Sequence, residues 1–480
     1  MALIRRRPIL TALAGAAALA AGTLAAPASP ARAGTVATID GSAAYQRISG
    51  FGASEAFGQA ATIMSASPAT QAQALDLLFS RSRGAGLSML RNEISADAGS
   101  TIEPDAPSSP SAAPAYLPLS AVNSDQGQLW LAQQIRARYG VTDVFADAWS
   151  APAFMKTNDA TSNGGALCGV PGAACASGDW RQAYANYLTQ YARDYAAAGV
   201  PLSYVGPENE ANLATSYDSM TLTPAQTANL LDVLGPTVAR SGLPTRAECC
   251  ATEGWDYAAQ YAAAIEHDPA ARVYDRLFTS HGYTAPPDSP LPGWNGPAWE
   301  TEWSTFEKWD PAWDDGTDAS GLTWAQHILT GLTHANLSAS LYWWGSATPT
   351  ENGDNESLIL INGSTISASG RLWAFANFSR FVRPGAVRVA AASPASGVSL
   401  TAFRNTDGTV AVVALNTSAS TVPMTFTLRG AGMPRSAVAT PYLTNTGHDT
   451  AAEAPAQVRD SSFTATIPPR SLVTWTITPR

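Results

Sequence analysis

Between about residues 50 and 385, short β-type runs alternate with longer helical stretches, and this alternation constrains the possible folds more than any other feature. Eight runs read as strands: RISGFG, LSMLRNEI, VTDVFADAW, LSYVGPENE, RAECCATE, RLFTSHGY, PAWETEW and SASLYWWG. Between them the spacing predicts helices such as 71–81, 127–138, 179–198, 224–240 and 323–335. The clearest is WRQAYANYLTQYARDYAAAG, with apolar residues three to four apart and a terminal glycine. Parallel strands need crossover connections, so this pattern predicts an α/β fold, a (β/α)8 TIM barrel with insertions over 50–385.

After Arg383-Pro384-Gly385 the helical pattern stops, and alternating segments such as VSLTAFR, TVAVVALN, VPMTFTLRG and SFTATIPP follow. They predict an appended all-β sandwich over 386–480, which the strand-like TVATIDG in 34–49 would join from the other end of the chain. Ahead of it, Arg5, Arg6 and Arg7 precede a short Ala/Leu-rich run that closes on Ala31-Arg32-Ala33. That is the pattern of a signal peptide over 1–33, so a secreted, extracellular protein is expected, exported by the Sec or the twin-arginine route. Removing the leader takes away four arginines and no acid, which moves the formal charge from −10 to −14. Such a balance argues against a nucleic-acid partner and against an anionic membrane surface.

The four cysteines point to one or two local disulfides. Cys168 and Cys175 bracket a Gly/Pro/Ala loop. Cys249 and Cys250 are adjacent, and a vicinal bridge, pairing with the other two, or free thiols all stay open. The five histidines are scattered and no cluster has zinc spacing, so neither a metal nor a cofactor is expected.

A barrel carries its chemistry at the C-terminal ends of its strands. There the sequence places Arg91, Asn92 and Glu93 after the second strand and Trp149 after the third. Asn209 and Glu210 follow the fourth, His281 and Tyr283 the sixth, Glu302 the seventh and Trp343 the eighth. Two carboxylates among aromatic platforms suit glycoside cleavage. One carboxyl protonates the leaving oxygen while the other attacks or supports the anomeric carbon, and aromatic faces hold sugar rings.

Several ordered motifs sharpen this reading: GFGASEAFGQA at 50–60, WSAPAFMKTN at 149–158, GPENEANL at 206–213, SHGY at 280–283, WETEW at 299–303 and FSRFVRPGAVRV at 378–389. From about residue 45 to its end the chain resembles glycoside hydrolase family 30, most of all its xylanase and glucuronoxylanase branch. The resemblance implies a retaining glycosidase with Glu210 as acid/base and Glu302 as nucleophile, their carboxyl groups about 5 to 5.5 Å apart. It further implies that Asn209 holds the sugar 2-hydroxyl and that Arg91 and Tyr283 keep Glu302 ionised. Trp149, His281, Trp343 and Ser54 would complete the sugar site.

Glu208 and Glu300 each lie two residues before the implied catalytic glutamate, so on an ideal strand they would share its face; the motifs leave them as supporting carboxylates. The implied partner is a xylan-like polysaccharide, bound by a monomer. Glucuronoxylan specificity would need a cation, and Gln59 is neutral where some relatives carry arginine. An endo-β-1,6-galactanase of the same family and a non-catalytic polysaccharide-binding barrel are the alternatives.

Overall fold

The computed structural model describes residues 35–479 apart from 98, 122 and 350–355, and the leader read over 1–33 lies outside them. The chain opens with β1 (Thr35–Arg47), which belongs to the sandwich. Then come the barrel strands β2 (Gly50–Ser54), β3 (Met89–Ile94), β4 (Asp143–Ala148), β5 (Tyr204–Gly206), β6 (Arg246–Ala247), β7 (Cys249–Thr252), β8 (Phe278–His281), β9 (Ala298–Glu302) and β10 (Ala339–Ala347). Neighbouring barrel strands pair in parallel, and β10 closes back on β2 with Leu341 opposite Gly52. The fifth position around the ring is filled by two short pieces: β6 pairs with β5 and β7 with β8, with Glu248 at the break.

Crossover helices cover the barrel: α1 (Gln59–Ser65), α2 (Pro68–Phe79), α3 (Gln128–Tyr139), α4 (Arg181–Ala197), α5 (Pro224–Arg240), α6 (Trp255–His267), α7 (Pro269–Tyr274), α8 (Gly321–Thr333) and α9 (Gly370–Ser379). Their starts are set by capping chemistry that an apolar period does not register. The helix predicted from residue 71 begins at Pro68, because the Ser67 hydroxyl accepts from Thr70 N and proline fits the first turn. The one predicted from 323 begins at Gly321, with Ser320 as its cap. Helix α5 starts where expected, closed by a capping box between Thr223 and Gln226. With helices outside and side chains inside, strands such as β10 are buried on both faces, and all nine of its residues are buried.

A hairpin of β11 (Ser357–Asn362) and β12 (Thr365–Ala368), absent from the sequence expectation, extends the sheet beside β10. The sandwich follows with β13 (Val387–Ala392), β14 (Val398–Arg404), β15 (Val410–Asn416), β16 (Val422–Arg429), β17 (Ala437–Asn445), β18 (His448–Ala452), β19 (Ala456–Val458), β20 (Ser462–Ile467) and β21 (Ser471–Pro479). Here β1 lies between β13, to which it is antiparallel, and β16, to which it is parallel. Phe426 stacks against Phe463 and packs on Trp475 at the centre of the sandwich core.

Polar ties fasten the sandwich to the barrel. The Thr474 hydroxyl donates to the carbonyl of Asn377 in α9 at 2.7 Å, and the Trp313 indole donates to the Arg470 carbonyl at 2.8 Å. Both disulfides are local, Cys168–Cys175 and the vicinal Cys249–Cys250, which selects one of the open pairings. Among the described residues no helix is long and apolar enough to cross a membrane.

Candidate active site

Side chains alternate along a strand, and this turns the barrel interior into layers. Met89, Phe145, Leu277, Trp299, Ala339 and Leu341 form an apolar floor with Tyr204 against it. Two residues nearer the mouth, β3 and β4 present Arg91 and Asp147; two further on from Asp147 and Leu341 come Trp149 and Trp343. The parity also removes Asn92 from the interior, and its amide donates to the Tyr195 hydroxyl of α4 at 2.9 Å.

Arg91 is fully buried and spreads its guanidinium over three strands' worth of acceptors. Its Nε donates to Asp147 Oδ2 at 2.5 Å, one terminal nitrogen to Asn209 Oδ1 at 2.6 Å, and the other to Glu302 Oε2. The guanidinium carbon also lies 4.6 Å from the centre of the Trp149 ring. A planar fork with fixed donors suits this arrangement; a lysine could not bond all three acceptors in one plane. The Tyr283 hydroxyl donates to Glu302 Oε1 at 3.0 Å, so both oxygens of Glu302 are oriented.

Glu210 faces Glu302 from the opposite wall. One oxygen of each carboxylate and a ring nitrogen of His281 lie within 4.8 Å of one another. His281 Nδ1 is 3.0 Å from Glu210 Oε1, and its Nε2 is 3.7 Å from Glu302 Oε2. Burial lowers the imidazole to about 4, so the ring between the carboxylates is neutral at ordinary pH. Burial, helped by the charge of Glu253 and opposed by Arg91, pushes Glu210 up to about 8. Glu302 is also raised by burial, a shift that the permanently charged Arg91 opposes. Two carboxyls of one type thus sit in unequal surroundings, the arrangement that separates an acid from an anion.

Glu208 does not share the face of Glu210. Strand β5 ends at Gly206, and Glu210 adopts a left-handed backbone with φ 47°, its N–H donating to the Ala251 carbonyl at 2.8 Å. The turn sends Glu208 to α5, where it accepts from the Thr227 hydroxyl at 2.8 Å. Glu300 likewise accepts from the Ser340 hydroxyl at 2.7 Å, away from the cleft.

Glu208, Glu300, Glu55 and Glu93 are all fully buried, and burial pushes each up to about 8. A carboxyl whose folded value exceeds its unfolded value contributes stability below the unfolded value, and that contribution is lost as pH rises through the folded one. His281 and His327, both lowered to about 4 by burial, oppose this trend only below their usual 6.5. The melting temperature is therefore expected to fall by at least about 5 °C between pH 6.5 and 8. Scanning calorimetry across that range checks it; a flat or rising Tm would contradict the neutral state of these four groups.

The cleft at the mouth encloses about 570 Å³. Of the residues singled out in the sequence, Trp149, Glu210, Tyr283, Glu302 and Trp343 line it. Arg91, Asn209 and His281 stand behind the carboxylates, and Ser54 is wholly buried, its hydroxyl accepting from Ala56 N at 3.2 Å. Phe57, Tyr217, Glu253, Phe306, Trp344 and Glu356 also line the cleft, and sequence reasoning had not singled them out. Most sit on loops without a period. Asp147, the anchor of Arg91, could have been found as a charge deep in strand β4, four residues past Asp143 at its start and among Val144, Phe145, Ala146 and Ala148.

Two family models match the chain: O-Glycosyl hydrolase family 30 over residues 35–276, and the glycosyl hydrolase family 30 beta sandwich domain over 385–475. The protein belongs to glycoside hydrolase family 30. Among solved members of the family, the catalytic domain of xylanase C from Talaromyces cellulolyticus is 42% identical, with a TM-score of 0.86, covering 92% of this chain and 100% of that one. Among curated relatives, the mouse lysosomal acid glucosylceramidase is 27% identical; the match spans 59% of this chain but only 58% of the relative's length. An endo-1,6-β-D-glucanase from Trichoderma harzianum is 24% identical over 79% of both chains. Glucuronoxylanase XynC from Bacillus subtilis is also 24% identical, over 62% of this chain and 66% of the relative. The relatives differ in the sugars their names record.

Proposed function

We propose that this family 30 enzyme is a secreted, retaining hydrolase of β-1,4-xylan, with Glu302 as nucleophile and Glu210 as acid/base. The observation that carries the mechanism is that one oxygen of Glu210 lies within 4.8 Å of one oxygen of Glu302 across the cleft, a close approach that suits the roughly 5 to 5.5 Å of retaining pairs better than the roughly 6.5 to 9.5 Å of inverting ones. In the first step a Glu302 oxygen attacks the anomeric carbon, the glycosidic C–O bond breaks, and the Glu210 proton passes to the departing oxygen. In the second step Glu210, now a carboxylate, takes a proton from water; the water oxygen displaces Glu302 and the enzyme returns to its starting state. Arg91 and Tyr283 disperse the charge that returns to Glu302, and in this reading Asn209, held by Arg91 through its Oδ1, serves the sugar 2-hydroxyl.

The 42% identity to a xylanase over 92% of the chain supports xylan as the polymer. The cleft supports an unsubstituted or neutrally substituted chain, since its described lining contains Glu210, Glu253, Glu302 and Glu356 and no arginine, lysine or histidine. A uronate there would meet like charge. Gln59, at the position weighed for a uronate-binding cation, is buried in α1. The arginine-headed leader at 1–33 supports export.

Product release from arabinoxylan, glucuronoxylan, β-1,6-glucan and β-1,6-galactan, followed by mass spectrometry, tests the assignment. Xylan is expected to be cleaved, with or without its uronic acid branches. No release from any xylan rejects the substrate, and strict dependence on the branch rejects the reading of the acidic cleft.

A further inference from the structure

Beneath the two facing carboxylates lies a second acidic pair that the reaction does not use directly. Asp147 gives Oδ2 to Arg91, and its Oδ1 has no hydrogen-bond donor in reach. Glu248 repeats the pattern from the break between β6 and β7: its Oε2 accepts from the Thr279 hydroxyl at 2.6 Å, and its Oε1 has no partner. Both side chains are completely buried. The two unpartnered oxygens converge over Gly206 of β5, where an added methyl carbon would lie 2.1 Å from Glu248 Oε1 and 2.3 Å from Asp147 Oδ1. Glycine thus leaves the room in which they meet.

Two bare carboxylates cannot both stay ionised side by side in a buried site, and one proton between them converts repulsion into a hydrogen bond. Asp147 is ion-paired to Arg91 through Oδ2, whereas Glu248 has no cation beside it and is the member left to hold the proton. Burial first, and the charge of Asp147 second, raise Glu248 well above the ordinary carboxylate range. The other ionisable groups around the pair do not supply a competing cation. Arg91 and Glu302 are already paired with each other, and His281 is neutral above about 4. Asp275 is itself raised by burial, as are Tyr184 of α4 and Tyr204 of β5.

We propose that a single proton held on Glu248 bridges its Oε1 to Asp147 Oδ1, and that Glu248 is thereby a positioning residue, fixing Asp147, then Arg91, then Glu302. The proposal rests on the reading of Glu302 as nucleophile, and its test separates the two. Without the bridging proton, Asp147 carries an unsatisfied anionic oxygen and draws Arg91 toward itself. Glu302 then loses part of its guanidinium contact, and its ionisation moves to higher pH.

The experiment compares the full-length wild type with Glu248→Gln and Glu248→Leu. It reads kcat/KM against pH on a substrate the wild type cleaves, the melting temperature, and the infrared carbonyl stretch of protonated carboxyls. In Glu248→Gln the amide can still donate to Asp147, so activity and pH profile should stay close to wild type while one protonated-carboxyl band disappears. In Glu248→Leu kcat is expected to fall roughly 10²-fold, and the acidic limb of the profile to move to higher pH. An acidic limb unmoved in Glu248→Leu, or a glutamine variant as impaired as the leucine one, overturns the positioning role. If the leucine variant does not fold, the glutamine variant decides: an unchanged infrared spectrum overturns the shared proton. That band is independent of Glu302, so a failure of the nucleophile assignment would leave it in place.

Discussion

Glu302→Ala is expected to lower turnover of the polysaccharide by roughly 10⁴-fold or more while the fold survives. The side chain is buried against Arg91, Tyr283 and His281, so its removal unpairs one arm of the guanidinium; the arms to Asp147 and Asn209 remain. The guanidinium keeps its other two partners, so the melting temperature should move little. The emptied volume lies on the face from which Glu302 would attack. Azide entering there should displace the leaving group and give a glycosyl azide of inverted configuration. Chemical rescue by azide, with the product configuration read by NMR, checks this. Wild-type turnover in the variant, or an azide product of retained configuration, would remove Glu302 from the nucleophile's role.

The second large effect concerns the proton. Glu210→Ala should slow cleavage of the polysaccharide by roughly 10²- to 10⁴-fold, because a sugar hydroxyl leaves poorly without protonation. An aryl glycoside with an acidic phenol needs no such help, so its first step should be nearly unaffected. The pH dependence carries a separate signature. Burial holds Glu210 protonated up to about 8, and wild-type activity should fall as pH rises through that region. The alanine variant has no group to titrate there, so its alkaline limb should disappear. A limb persisting at the same pH would place the acid elsewhere, with Glu253 at the cleft wall as the first alternative to examine.

The barrel was legible because strand-like runs alternate with amphipathic helical stretches along most of 50–385, and a parallel sheet buried on both faces leaves continuous apolar runs such as LYWWG. Arg91, Trp149, Asn209, Glu210, His281, Tyr283, Glu302 and Trp343 could be picked out because strand ends mark the mouth. Their division into cleft walls and buried supports could not, since it depends on the turn after Gly206 and on which way each loop leaves the barrel. The pair Glu208 and Glu210 shows the limit: a period of two puts both on one face, but the chain is no longer a strand there. The support under Arg91 was hidden for a different reason. Asp147 and Glu248 lie 101 residues apart in sequence (248 − 147), and only barrel closure over Gly206 brings their oxygens together.

The place of β1 has a consequence for how the molecule is made. Its two neighbours, β13 and β16, are encoded after the whole barrel, so Thr38 must wait for Ala392 and for Thr427. A chain emerging from a ribosome or a translocation pore therefore carries an unpaired strand, with open hydrogen-bonding edges on both sides, for nearly its full length. Completing the sandwich joins the first strand to the last third of the chain. The side domain thus acts as a clasp that closes only once β13 and β16 have arrived, and a chain truncated before Val387 would keep both edges of β1 exposed to aggregation and proteolysis.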